Sequence, residues 1–100
     1  MFKKKNPRKR YPVFEGFVKY FPNAILEVSN LSLVANDQHH KGEPLHWDKS
    51  KSQDEPDALL RHLIDHSKGI IYDTDGIRHL GKVAWRALAM LQRELDNVKK

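Results

Sequence analysis

Between Asn23 and Asp37 the apolar residues recur at helical spacing. Ile25, Val28, Leu31 and Ala35 make one stripe, which Leu26 and Leu33 widen. The pattern predicts a helix over residues 24–37 with Asn23 as its cap. A second helix is expected from near Pro56 to about Ser67, with Asp54 or Glu55 placed to cap it and Gly69 as a left-handed stop. On that helix Leu59, Leu60, Leu63 and Ile64 form one apolar arc, flanked by Asp57 and Arg61 on one side and by His62 and His66 on the other. The spacing of Asp57 and Arg61 is that of a helical ion pair. The longest pattern predicts a third helix over residues 76–96, capped by Asp73 or Asp75. Ile77, Leu80, Val83, Ala84, Ala87, Leu88, Leu91 and Leu95 share its broad face, and His79 lies at the edge of that face. Upstream, Phe14, Phe17, Val18 and Phe21 stand at helical spacing between Pro12 and Pro22, which reads as a short helix or folded arm capping the core.

Internal repeats are absent, and the apolar run from Ile70 to Tyr72 is too short to found a sheet. The fold class is therefore all-α: a small bundle of three to four helices, which a second subunit would complete. A short connector makes the second and third helices neighbours, so Leu59, Leu63, Leu80, Val83, Ala87 and Leu91 are expected to be mutually buried. Trp85 points nearly opposite the centre of the apolar face. Two coverings suit it: a subunit contact shared with Leu88 or Met90, or the Phe14–Phe17–Phe21 arm folded back over it.

Composition changes the picture in one respect. The chain of 100 residues carries a formal charge of +5. Six of its positive charges lie in the first ten residues, which leaves twelve basic against thirteen acidic residues beyond them. The basicity belongs to a flexible tail over residues 1–10, and residues 11–100 form a single helical domain. Such a tail is either solvated or in contact with phosphates of nucleic acid. No cysteine is present, which excludes disulfides and zinc–thiolate sites and fits a cytoplasmic setting. No apolar run is long enough to span a membrane.

The chemistry concentrates between Glu43 and Gly69, where Trp47 stands among lysines, carboxylates, Arg61 and histidines. There is no glycine-rich phosphate loop, no H-E-x-x-H and no C-x-x-C. Six histidines (His39, His40, His46, His62, His66 and His79) admit a transition-metal site, with His62 and His66 one helical turn apart. A second reading uses oxygen. Glu27, Asp54, Asp57 and Asp75 stand near helix edges opposite Lys49, Lys51, Arg61 and Lys82, a set suited to magnesium and to the phosphates it carries. Glu27, on or beside a buried face, needs a partner or a metal. Trp47 would stack on a base.

The stretches FPNAILEVSNLSLVAND, GEPLHWDKSKSQDEPDALLRHL and DTDGIRHLGKVAWRALAMLQRE resemble a small bacteriophage family. This is the N-terminal type of domain found in phage dATP/dGTP diphosphohydrolases. The resemblance covers residues 21–94, and its most specific parts are His46-Trp47, Ala58 to Leu63, and Gly76 to Trp85. It implies a nucleotide-related helical domain working in an infected bacterial cell. The E-x-x-E and E-x-x-D pairs through which the helical MazG-related pyrophosphohydrolases bind magnesium are absent, because Asn30 and Leu60 stand where the second acids would be. Two function classes remain. In the first, a magnesium-dependent deoxynucleoside triphosphate diphosphohydrolase, Glu27 and Asp57 hold the metal, Lys49 and Arg61 steady the phosphates, Trp47 meets the base, and His62 or His79 orients or deprotonates water. In the second, a non-catalytic accessory protein binds nucleic acid or a host protein through the basic tail and Trp85.

Overall fold

The computed structural model describes residues 7–49 and 54–98. Residues 1–6 of the basic tail, and Lys51 of the basic set, lie outside the described residues. Three α-helices carry the structure: α1 over Pro22–His39, α2 over Glu55–Ser67 and α3 over His79–Val98. A short 3-10 turn at Pro7–Arg10 and a single π-helical turn at Phe14–Val18 precede them. The architecture is an all-α small bundle, as the patterning predicts.

The helix ends correct the sequence reading in detail. Pro22 takes the first position of α1 and Phe21 its cap, without a side-chain bond, so Asn23 lies inside the helix rather than capping it. Proline fits there because its fixed φ suits the first turn and its missing N–H is not needed. Asp54 occupies the α2 cap position, also without a side-chain bond. Gly69 stops α2 at φ 89°, the left-handed conformation that glycine adopts without strain. α3 begins three residues later than its pattern suggests, because residues 72–78 close on themselves first. Asp73 N–H donates to the Ile77 carbonyl at 2.8 Å, and His79 N–H donates to that of Ile71 at 2.9 Å. Asp73 and Asp75 do not cap α3. Both reach forward to Lys82 at 2.7 and 2.8 Å.

Packing departs further from expectation. α2 lies along α3, and α1 crosses α3 at Gly81, where a Cβ would already touch Glu27 Cγ at 3.5 Å. The buried apolar residues are Leu31, Ala58, Ile77 and Ala89, joined by buried Asn36, Glu55 and His79. None of the six residues expected to form the α2–α3 core is buried. Leu63, Leu80 and Leu91 are 40, 44 and 51% exposed, Ala87 is exposed, and Leu59 and Val83 are half-buried. The helices instead meet through a strip of small and polar residues: Glu55, Ala58 and His62 from α2 against His79, Ala89 and Arg93 from α3. A wheel identifies an apolar stripe but not the neighbour that covers it. Here the stripes of both helices turn outward. The Cα radius of gyration, 16.1 Å, also exceeds the roughly 13 Å of a compact chain this long.

Trp85 is not covered by the Phe14–Phe17–Phe21 arm. It is half-buried, donates its indole N–H to Ser32 Oγ at 3.1 Å, and receives Trp47 edge-on at 5.3 Å. The aromatic arm stays exposed, with Phe17 and Phe21 in edge-to-face contact at 6.0 Å and no buried residue in its turn.

Candidate functional site

A cleft of about 780 Å³ opens between the second half of α1, the loop at Leu45–Trp47 and the inner edge of α3, with Asp54, Glu55 and His62 of α2 on its floor. Its volume is within the range that small-molecule ligands occupy. Trp47 and Trp85 make one wall. The Trp47 ring is held between cations as well: Lys49 Nζ lies 5.2 Å from its centroid and the Arg93 guanidinium 5.4 Å. Lys82, Arg86, His62 and Asp75 line the same cleft, and the Arg86 guanidinium lies 5.8 Å from the Trp85 ring centroid. Behind the tryptophan pair a second, apolar groove of about 380 Å³ runs along Val28, Leu88, Leu91 and Leu95.

His62, on the floor of the cleft, belongs to a histidine pair. His62 Nδ1 and His79 Nδ1 are 2.9 Å apart, so one ring donates to the other. Asp65 Oδ2 faces His79 Nε2 at 3.8 Å and favours a proton there. The network therefore assigns His79 Nδ1 as acceptor and His62 Nδ1–H as donor, which leaves His62 Nε2 as the basic atom of the pair. Burial first, and then the Lys82 ammonium, hold the His62 imidazole below its ordinary pKa against the opposite pull of Asp73. Both effects favour the neutral imidazole.

Lys82 is fixed by two carboxylates. Burial alone would lower its pKa, but the hydrogen bonds to Asp73 and Asp75 outweigh that and raise it. The hydrogen bond from Lys82 holds Asp73 below the usual carboxylate range, against burial. For Asp75, burial pushes upward, and the bonds from Lys82, the Ile77 N–H and Gln38 together prevail and lower it. The 72–78 turn thus presents one ammonium to the cleft with its charge locked in place.

The sequence-predicted residues divide. His62 and Trp47 line the one cleft, and His79 is buried against His62. Lys49 sits behind Trp47, paired with Asp96 at 3.1 Å. Arg61 is exposed and faces Asp54 at 3.8 Å, not Asp57 as its spacing suggested. Glu27 is paired with Arg78 at 3.5 Å on the far side of the α1–α3 crossing, while Asp57 is exposed on α2 with no ion pair among the described residues. The structure does not assemble these last two into a metal site. The sequence reading missed Trp85, Arg86, Glu55 and Arg93 as parts of the site. Arg93 Nη1 lies 2.6 Å from buried Glu55 Oε2, in charge contact though off the axis of a hydrogen bond, and Arg86 lies 3.9 Å away. The signal was present: Lys82, Arg86 and Arg93 repeat at helical spacing along one edge of α3.

Among the described residues two groups converge closely enough to share an ion: His62 with Asp73 and His79, and His40 with Glu43 and His46. Both mix imidazole with carboxylate, a donor set for transition metals rather than for magnesium, which takes oxygen ligands. In the first group Asp73 is already bound to Lys82. Among the described residues, neither group fits a magnesium site.

A search of curated proteins found no match, and a search of solved structures found none either. The family model described as dATP/dGTP diphosphohydrolase, N-terminal, matches residues 2–100. With that match spanning nearly its whole length, the chain belongs to the family of dATP/dGTP diphosphohydrolase N-terminal domains.

Proposed function

We propose that this domain binds a purine deoxynucleoside triphosphate in the cleft and takes part in its hydrolysis to the monophosphate and pyrophosphate. The observation that carries the reading is the lining of one cleft, which brings Trp47 and Trp85 together with Lys82 and Arg86. An indole face suits a base, and fixed cations suit phosphate oxygens. Magnesium, for which neither imidazole–carboxylate group offers an all-oxygen site, enters as the counter-ion of the triphosphate. His62 is the group on the floor able to accept a proton from an attacking water, with His79 and Asp65 behind it to hold the ring and share the charge. Arg61 and Lys49 act from the rim, and Glu27 serves the fold through its pair with Arg78.

The test is incubation with the eight common nucleoside triphosphates and magnesium, with the products identified. The reading expects dATP and dGTP to yield monophosphate and pyrophosphate, and His62→Gln to slow this by about 10²–10⁴-fold. Release of inorganic phosphate, or an unaltered rate in the variant, would contradict it.

A homo-oligomer belongs to the same reading. Leu80, Leu88, Leu91 and Leu95 lie along one outward face of α3, each at least 44% exposed, and continue into the apolar groove. A patch running the length of the helix marks an interface. A second copy of the chain offers the matching face, and its contact would center on Leu88 and Leu91, with Trp85 turned inward toward the cleft.

A further inference from the structure

The loop that leaves α1 has a chemistry that nucleotide binding does not use. Within seven residues it carries His40, Glu43 and His46, and their donor atoms all lie within 4.8 Å of one another. His40 Nδ1 is 4.0 Å and His46 Nε2 3.8 Å from Glu43 Oε1. The two imidazoles lie ring against ring, with centroids 4.3 Å apart.

The surroundings hold these groups in place. Asn36, buried on the last turn of α1, donates to the Glu43 carbonyl at 3.0 Å and accepts from the His46 N–H at 3.4 Å. The loop turns at Gly42, whose φ is 84°, and closes with Glu43 N–H on the His40 carbonyl at 2.9 Å. His46 Nδ1 lies 2.9 Å from the Pro44 carbonyl, which can only accept, so the ring proton sits on Nδ1. The Nε2 lone pair then faces Glu43 and His40. A metal-binding histidine characteristically has its other ring nitrogen tied to a carbonyl or carboxylate in this way.

We propose that His40, Glu43 and His46 form a Zn²⁺ site. Two neutral imidazoles and one carboxylate are a zinc donor set that leaves a fourth position open. Tetrahedral ligands at zinc distances lie about 3.4 Å apart, so the donor pairs need to close by between roughly half an ångström and an ångström and a half. The Glu43 side chain, 58% exposed, is free to swing, and neither histidine is locked in the core. His40 and His46 line the cleft, so the open position faces it and would take a water or a phosphate oxygen. The site goes beyond nucleotide binding. Zinc uptake is read with no nucleotide present, so its failure and that of the nucleotide reading are separate results.

The experiment uses the untagged chain stripped of metal by a chelator. Titration with Co²⁺ is followed by visible absorption and then reversed with Zn²⁺, and calorimetry gives the stoichiometry. The expected result is one ion per chain, with ligand-field bands of a four-coordinate site that zinc bleaches. His46→Ala and Glu43→Gln are each expected to weaken binding by at least about tenfold. His62→Ala, in the other histidine–aspartate group, is expected to leave it unchanged. Both loop side chains are largely exposed, and circular dichroism checks that each variant retains its helices. Absence of saturable binding in the wild type would overturn the proposal. So would binding that survives both loop substitutions, or binding lost in His62→Ala.

Discussion

Glu55→Ala is expected to remove a large share of the domain's stability. The Glu55 side chain is 3% exposed and is the buried acid between Arg93, at 2.6 Å, and Arg86, at 3.9 Å. Breaking a buried pair costs about 3–5 kcal/mol, and here the cost falls toward the lower end, because Arg93 keeps its bond to the Lys49 carbonyl at 3.2 Å and Arg86 its contact with Asp54 at 3.9 Å. A domain of this size has a total stability of only about 5–15 kcal/mol, and its buried apolar set of Leu31, Ala58, Ile77 and Ala89 argues for the lower part of that range. Replacing both partners together, as Glu55→Leu with Arg93→Leu, should recover much of the loss, because a buried ion pair exchanged for apolar groups of similar volume is often neutral or better. Urea denaturation of the three proteins is the check. A single variant as stable as wild type would mean that the α2–α3 interface does not depend on this charge contact.

Leu91→Asp is expected to convert an oligomer into a monomer. The outward α3 stripe and the exposed Leu60, Leu63 and Ile64 of α2 are apolar surfaces that the chain's own elements leave uncovered. Burying a leucine side chain yields about 1.5–3 kcal/mol, so several of them in one contact stabilise association by many-fold. An aspartate in the middle of that face would be buried without a partner and strongly opposes it. Sedimentation at tens of micromolar decides the matter. Wild type should run as a dimer or larger, and Leu91→Asp as a single chain. A monomeric wild type would contradict the assignment. Trp85→Ala, by contrast, should not dissociate the assembly, because the indole is committed to Ser32 and Trp47.

The legible part of the fold was its periodicity. The three helices and the stop at Gly69 follow from apolar spacing and from glycine's freedom at positive φ. Which face turned inward was not legible. A stripe of leucines satisfies a second subunit as well as it satisfies a neighbouring helix, and the pattern of one chain carries no information on the choice. Glu55 was read as a cap of α2 and His62 as its flank, because their pairing depends on Arg93 and His79, which are distant in sequence. Trp47, His62 and His79 stood out as candidates because a tryptophan and two histidines in a charged setting need an explanation. Glu27 was read as needing a partner or a metal from its place beside a buried face, and Asp57 as a metal ligand from its place at a helix edge. Glu27 found Arg78 across the Gly81 crossing, and no spacing rule connects those two positions. Asp73 and Asp75 were read as caps because that is their commonest local use. The long reach of Lys82 from the first turn of α3 won instead.

The central claim is that the cleft holds a purine deoxynucleoside triphosphate, and the two tryptophans report on it directly. Trp47 and Trp85 are the chain's only tryptophans, and both line the cleft wall. Their fluorescence should change saturably as dATP or dGTP is added with magnesium, and less so with dCTP or dTTP. The predicted half-saturation lies below about 1 mM, the upper end of ordinary substrate affinities. An emission that stays unchanged with both purine nucleotides through that range would contradict the account.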